Sequence, residues 1–302
     1  MAPATNIRQI VARPWVRLLL ILLYLAAGSV GLTLLFRFAW PRNPGVAGGS
    51  LVRDIVSQFV AAMMAVGGLF LFFRGFQRRR PEEFGFPLSA VGRPLRRGFI
   101  LGAVLIGVVL MIITLSGNYK AGIRSPGAIA GSFWVLLQEL LIVFFGAIFE
   151  ETAVRGLIFQ TLEEWLGSWT ALGASALFFG FAHAFNPGAN VLSCLAVAVE
   201  GGGLLTAAFV LTRNLWFPIG IHWAWNFFQG PVFGLPVSGT HWPSSLLEAS
   251  VQGPIPWTGG AFGPEAGLPA VIFATGLSLT ILGQAAAQGA LRRPIWRRES
   301  SG

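Results

Sequence analysis

Four of the 12 acids and two of the three histidines fall within or beside long apolar runs: Glu139, Glu150, Glu151, His183, Glu200 and His222. A charge at bilayer depth costs about 2.5 kcal/mol or more on insertion scales, so such residues suggest function. Glu150, Glu151 and Arg155 stand in the run EETAVRG. On a helix, Glu151 and Arg155 are four apart, acid before base, and share a face. Arg155 can then neutralise Glu151. Glu150, rotated by about 100°, stays the freer carboxylate and suits a general base. The plainer alternative is a buried ion pair that only locks two helices. His183 ends the run FFGFAHAF, with Phe179 one turn earlier to pack beside it; a span histidine can equally serve as a hydrogen bond between helices. His222 and Asn226, in HWAWN, project from one face. An imidazole N–H and an amide N–H could therefore converge on one oxygen, as an oxyanion hole requires, or simply glue two helices. Together these groups describe hydrolysis: a water between Glu150 and His183 attacks a carbonyl, and His222 with Asn226 holds the oxyanion.

The remaining candidates have weaker context. Glu139 and Glu200 read as structural, the latter because Gly201, Gly202 and Gly203 follow it and permit close helix approach. Cys194 reads as core; as the sole cysteine, it leaves no intrachain disulfide and no cysteine-based zinc site. His241 has no partner pattern.

The elements that must hold these residues are membrane helices. Of 302 residues, 54% are hydrophobic and 11% charged, and the mean hydropathy is +0.69; an ordinary soluble domain carries roughly 25% charged residues. That excludes a water-soluble enzyme and a disordered chain. The expected fold is all-α, a polytopic transmembrane helical bundle of about eight spans: 17–37, 55–75, 98–117, 132–149, 169–185, 189–212, 214–230 and 267–290. Each run is near the roughly 20 residues a span needs, and the fourth continues as helix through about 165. The runs are long and lack period-two alternation, so a barrel is excluded. The first run resembles a signal peptide at its basic start, but it stays apolar through Phe36, longer than the usual h-region.

The net charge of +9 reads as loop anchoring rather than nucleic-acid binding. With eight spans and both termini inside, inside segments hold 15 basic residues and outside segments five, which fits the positive-inside rule. Lys120 is the one lysine among 21 basic residues, a bias that fits a GC-rich bacterial genome. The expected location is a bacterial inner (plasma) membrane with cytoplasmic termini. The 231–266 loop, rich in Gly, Pro and Trp and free of Lys and Arg, reads as an interfacial cover. The expected division is 1–129, N-terminal transmembrane helices and a cytoplasmic connection; 130–290, a catalytic core; and 291–302, a basic tail.

The order and spacing of the three motifs resemble the CAAX protease and bacteriocin-processing family, the Abi or Rce1-like (CPBP) intramembrane proteases. Its signatures match as Glu150-Glu151-x-x-x-Arg155, Phe179-x-x-x-His183 and His222-x-x-x-Asn226. The stretch TGGAFGPEAG before the last span adds to the likeness, which covers about 130–285. Val154 departs from the phenylalanine common before the arginine, with consequences for packing only. The resemblance implies an endopeptidase acting on a membrane-associated peptide or protein within the bilayer. In it the first glutamate and first histidine activate water, and the second histidine and the asparagine form the oxyanion hole. Glu151, Arg155 and Phe179 then orient the site. The family has been labelled both metalloprotease and glutamate-type protease. Glu150, His183 and His222 could supply three zinc ligands, but HExxH is absent and Asn226 is a poor ligand, so no cofactor is expected. A catalytically idle scaffold or bacteriocin-immunity protein is the alternative from another class. A proton-coupled transporter is a third, which the lack of an inverted repeat disfavours.

Overall fold

A computed structural model describes residues 11, 13–41, 49–123, 126–242 and 245–296. Helix α1 is Pro14–Ala39, and α2, Gly49–Leu69, runs on through a π-helical segment, Phe70–Phe76. Helix α3 is Gly92–Leu115. Helix α4, Pro126–Glu151, a π segment, Thr152–Phe159, and α5, Gln160–Ala182, form one rod. Gly167 breaks that rod with φ 77° and ψ 167°. A side chain there would be strained by the positive φ and would meet Pro294 Cδ at 2.9 Å. Helix α6, Val191–Val197, passes through a π segment, Ala198–Gly203, into α7, Leu204–Thr212. Helix α8, Trp216–Phe227, extends as a π segment to Val232. The short α9, Ile255–Thr258, and the last span α10, Leu268–Ala287, complete the helices.

The chain is thus a helical polytopic bundle. Among the described residues, six helical stretches are long and apolar enough to cross a membrane, one of them the 50-residue Phe133–Ala182. Dividing that rod at Gly167, and adding the shorter α8 with its π extension, recovers the eight runs seen in the sequence. Burial runs inside out, as lipid demands: α1 exposes Leu19, Leu23, Val30, Leu34 and Phe38 and buries Arg17.

Arg17 is buried because one end of the bundle is stitched by ions. Glu164 takes Arg17 and, at 2.7 Å, Arg79, while Glu163 takes Arg213 at 2.8 Å. Ser168 and the chain beyond α10 join through Ser168 N to Arg292 O at 3.0 Å. Glu163 and Glu164 lie on the helical rod, Glu163 fully buried, because cations from four distant segments, Arg17, Arg79, Arg213 and Arg292, converge on them. Arg8, Arg42, Arg124, Arg297 and Arg298 of the basic count lie outside the described residues.

The opposite end carries a two-stranded antiparallel sheet. Strand β1, Tyr119–Ile123, pairs with β2, Leu247–Val251, from Tyr119 opposite Val251 to Ile123 opposite Leu247. The 231–266 cover is therefore anchored to the α3–α4 connection. Two seams position the site. Helices α3 and α8 meet through glycine: a Cβ on Gly98 would lie 2.1 Å from Phe217 O, and one on Gly102 2.3 Å from Ile221 O. Small residues spaced four apart permit this approach and fix the rotation of the helix that carries His222. The helices before residue 129 pack directly on those after it, α2 along α4 and α3 along α8.

Candidate active site

Glu150 and Glu151 close helix α4 where it loosens into its π segment, a local rewinding that recurs at functional sites. Glu151 is fully buried, and Arg155 Nη1 donates to its Oε1 at 2.8 Å. The other guanidinium donors are also committed. Nη2 reaches Gly201 O at 2.6 Å and Gly202 O at 3.2 Å, and Nε reaches Thr206 at 3.2 Å. The Ala198–Gly203 segment carries those two carbonyls, and Gly201 O also accepts from the Leu204 N–H. Phe179 lies against the same guanidinium, 4.5 Å from ring centroid to Cζ.

The Oε1 atom of Glu151 has a second partner, the Nδ1 atom of His222 at 2.9 Å. A carboxylate only accepts, so Nδ1 carries the proton and Nε2 is the atom left for chemistry. That Nε2 lies 3.8 Å from Glu150 Oε2. The Glu150 side chain keeps about a third of its surface (34%), whereas that of Glu151 keeps none. Glu150 Oε2 itself is buried and has no hydrogen-bond partner among the described residues. His183 caps helix α5, its Nδ1 2.8 Å from Phe179 O. A carbonyl accepts, so here too Nδ1–H donates and neutral His183 keeps its lone pair on Nε2. Phe179 lies edge-on to both histidines, at 5.0 Å from His183 and 6.2 Å from His222.

A cavity of about 1140 Å³ brings these groups together, with Glu150, Phe179, His183, His222 and Asn226 all on its wall. Small-molecule pockets run to roughly 1,000 Å³, so the space suits a peptide segment. Glu151 and Arg155 stand behind the wall. The side chain of Asn226, one turn beyond His222, makes no hydrogen bond among the described residues. Zinc fits poorly: among the described residues no three His, Cys, Asp or Glu side chains converge as ligands. Cys194 is buried and free.

Three polar groups on this cavity escaped the sequence reading as parts of a site. Glu200, read as structural, lines the cavity, as do Glu265 and His241. Glu265 accepts from Gln229 Nε2 and from the Ser238 backbone N–H, and burial pushes its carboxyl up to about 7. The position of Glu265 in TGGAFGPEAG was the only signal for it; nothing local marked Gln229 or Ser238.

The fold and the wall of this cavity define a class: an integral membrane protein with carboxylates and imidazoles gathered at span depth. Residues 132–228, which hold all three motifs, match the family model described as Rce1-like, Type II CAAX prenyl endopeptidase Rce1-like. That segment is Rce1-like, which supports intramembrane protease activity of the CAAX type in general, on a peptide substrate in a lipid bilayer. The match ends before residue 285. No curated protein and no solved structure matches the chain.

Proposed function

We propose that the chain is an intramembrane endopeptidase cutting a peptide bond of a membrane-associated protein or peptide by CAAX-type processing. The observation that carries this reading is the state of Glu150. Its Oε2 is buried, lacks a partner among the described residues, and faces a fixed imidazole nitrogen at 3.8 Å. A carboxylate with unspent lone pairs on the wall of a cavity is placed to act as a base.

In this mechanism Glu150 takes a proton from water as the water oxygen attacks the carbonyl carbon. His183, through its Nε2 lone pair, orients the same water. The carbonyl pair moves onto oxygen, and the oxyanion accepts from Asn226 Nδ2–H and His222 Nε2–H. His222 donates there as imidazolium, because its Nδ1–H is already given to Glu151. When the intermediate collapses the C–N bond breaks, and Glu150 returns its proton to the leaving amine. Water is the only co-reactant.

Residues 130–290 are the catalytic unit in this reading. The helices before 129 supply part of the cavity wall, through Ser29, Thr33 and Gln58. With both termini on the cytoplasmic side of a bacterial inner membrane, the cavity extends toward the outer face. The test is purified protein in detergent with prenylated and unprenylated peptides, products read by mass spectrometry. The expected result is cleavage that disappears in Glu150→Gln. Cleavage by that variant, or none by the wild type, would overturn the reading.

A further inference from the structure

The cavity wall carries a second acidic pair. Glu200 lies on the π segment between α6 and α7, and Glu265 lies on the turn Pro264–Ala266. They are 8% and 4% exposed, and both line the same cavity. Their surroundings differ. Glu265 has both oxygens engaged, by Ser238 and Gln229. Glu200 accepts no hydrogen bond and forms no ion pair among the described residues.

A buried carboxylate without a donor is costly. Arg155, the one cation that acts on Glu200, already gives four hydrogen bonds to Glu151, Thr206, Gly201 and Gly202. It also sits behind the wall, while Glu200 is on it. The charges of the whole lining point the same way. Its acids are Asp54, Glu139, Glu150, Glu200 and Glu265, and its one permanent cation, Arg53, is paired with Asp54 at 2.9 Å. What Glu200 lacks is therefore a donor of positive charge from outside the protein.

We propose that Glu200 and Glu265 form a subsite for a cationic side chain, lysine or arginine, of the peptide cut at Glu150. An ammonium or guanidinium entering there donates to Glu200, and Glu265, held in place by Gln229 and Ser238, lines the same wall as a further acceptor. This inference rests on the endopeptidase reading, and two experiments separate their failures.

The first is cleavage of a randomised peptide library in detergent by wild type, Glu200→Gln and Glu200→Asp. Wild type should enrich Lys or Arg at one fixed distance from the cut. Replacing that residue by citrulline or norleucine should lower kcat/KM by about 10–100-fold, the range for one lost charge-assisted hydrogen bond. Glu200→Gln should shrink this ratio toward one, and Glu200→Asp should restore part of it. Cleavage by wild type with no basic preference, or an unchanged preference in Glu200→Gln, would overturn the subsite and leave the protease standing. The second is calorimetric binding of an arginine peptide and its citrulline analogue to the Glu150→Gln protein. Selective binding lost in Glu150→Gln/Glu200→Gln supports the subsite even if no peptide is cut, an outcome that would sink only the protease reading. Equal binding of the two peptides would overturn the subsite.

Discussion

His222 and Arg155 meet on a single oxygen, Oε1 of Glu151, at 2.9 and 2.8 Å. Glu151 is thus more than the counter-ion of an arginine: it fixes the tautomer and the rotation of an imidazole 71 residues away. The neighbouring carboxylate has no such duty. Two adjacent glutamates on one helix are separated in role by about 100° of rotation.

The two glutamates should therefore fail differently. Glu151→Gln leaves Arg155 as an uncompensated buried charge, which costs about 3–5 kcal/mol, and it releases His222. Glu150→Gln removes a base from a partly accessible position. Its stability should stay within about 1 kcal/mol, while turnover falls by about 10²–10⁴, the range for a lost general base. Thermal unfolding and peptide cleavage of both variants decide the matter. Equal stability losses would contradict this division.

Asn226 should behave as a transition-state group. With no side-chain hydrogen bond among the described residues, Asn226→Ala has little to destabilise. The expected loss is about 10²–10³ in kcat with KM little changed, the usual cost of one oxyanion donor. A rise in KM at constant kcat would assign the amide to ground-state binding instead.

The long-range parts of this site could not be read from the chain. Hydropathy showed that the chain is a bundle of apolar helices, and local spacing paired Glu151 with Arg155 because i,i+4 neighbours are set by helix geometry alone. The bond between Glu151 and His222 crosses between spans and depends on how α4 and α8 pack, which the pattern of apolar residues does not encode. The cations of Glu163 and Glu164 were hidden for the same reason: they come from α1 and three connections. Strands β1 and β2 have five residues each and pair across a gap too long for a hairpin signal. Glu200 looked structural because glycines follow it, and its position on the cavity wall appears only once the Ala198–Gly203 turn is seen to be π-helical.

Metal dependence separates two chemistries on the same residues. The geometry around Glu150 and His222 offers no third converging ligand among the described residues, so cleavage should survive exhaustive chelation, and purified protein should carry less than stoichiometric zinc. Stoichiometric zinc that is lost on mutating Glu150, His183 or His222 would mean that a metal activates the water.

Glu265 makes the cover over the site sensitive to pH. Its folded pKa is about 7, above the ordinary value near 4.3, so between these values the folded state holds more proton than the unfolded one. Stability is then fully present below the unfolded value and declines as pH rises toward 7, by up to about 3 kcal/mol. Thermal unfolding from pH 4 to pH 8 should show this fall, and Glu265→Gln should flatten it. A wild-type stability that rises across the same interval would show that another group dominates.

Membrane orientation decides which peptides reach the cavity. The described arginines at the Glu163–Glu164 end, including Arg13, Arg17, Arg79, Arg213 and Arg292, contrast with Arg37, Arg53 and Lys120 toward the end that carries the sheet. By the positive-inside rule we propose that the first end is the cytoplasmic one. The cavity reaches the other end, where Ser238, Thr240 and Trp242 of the cover line it. Reporter fusions after residue 302 and within 231–266 should therefore give opposite signals, cytoplasmic for the first and external for the second. A cytoplasmic signal from the cover would invert the bundle and make the substrate a peptide presented from inside the cell. Scanning single cysteines at Ser238 and Thr240 with a membrane-impermeant thiol reagent in intact cells gives an independent measure. Cys194 is the only native cysteine and is buried, so labelling reports the introduced site alone.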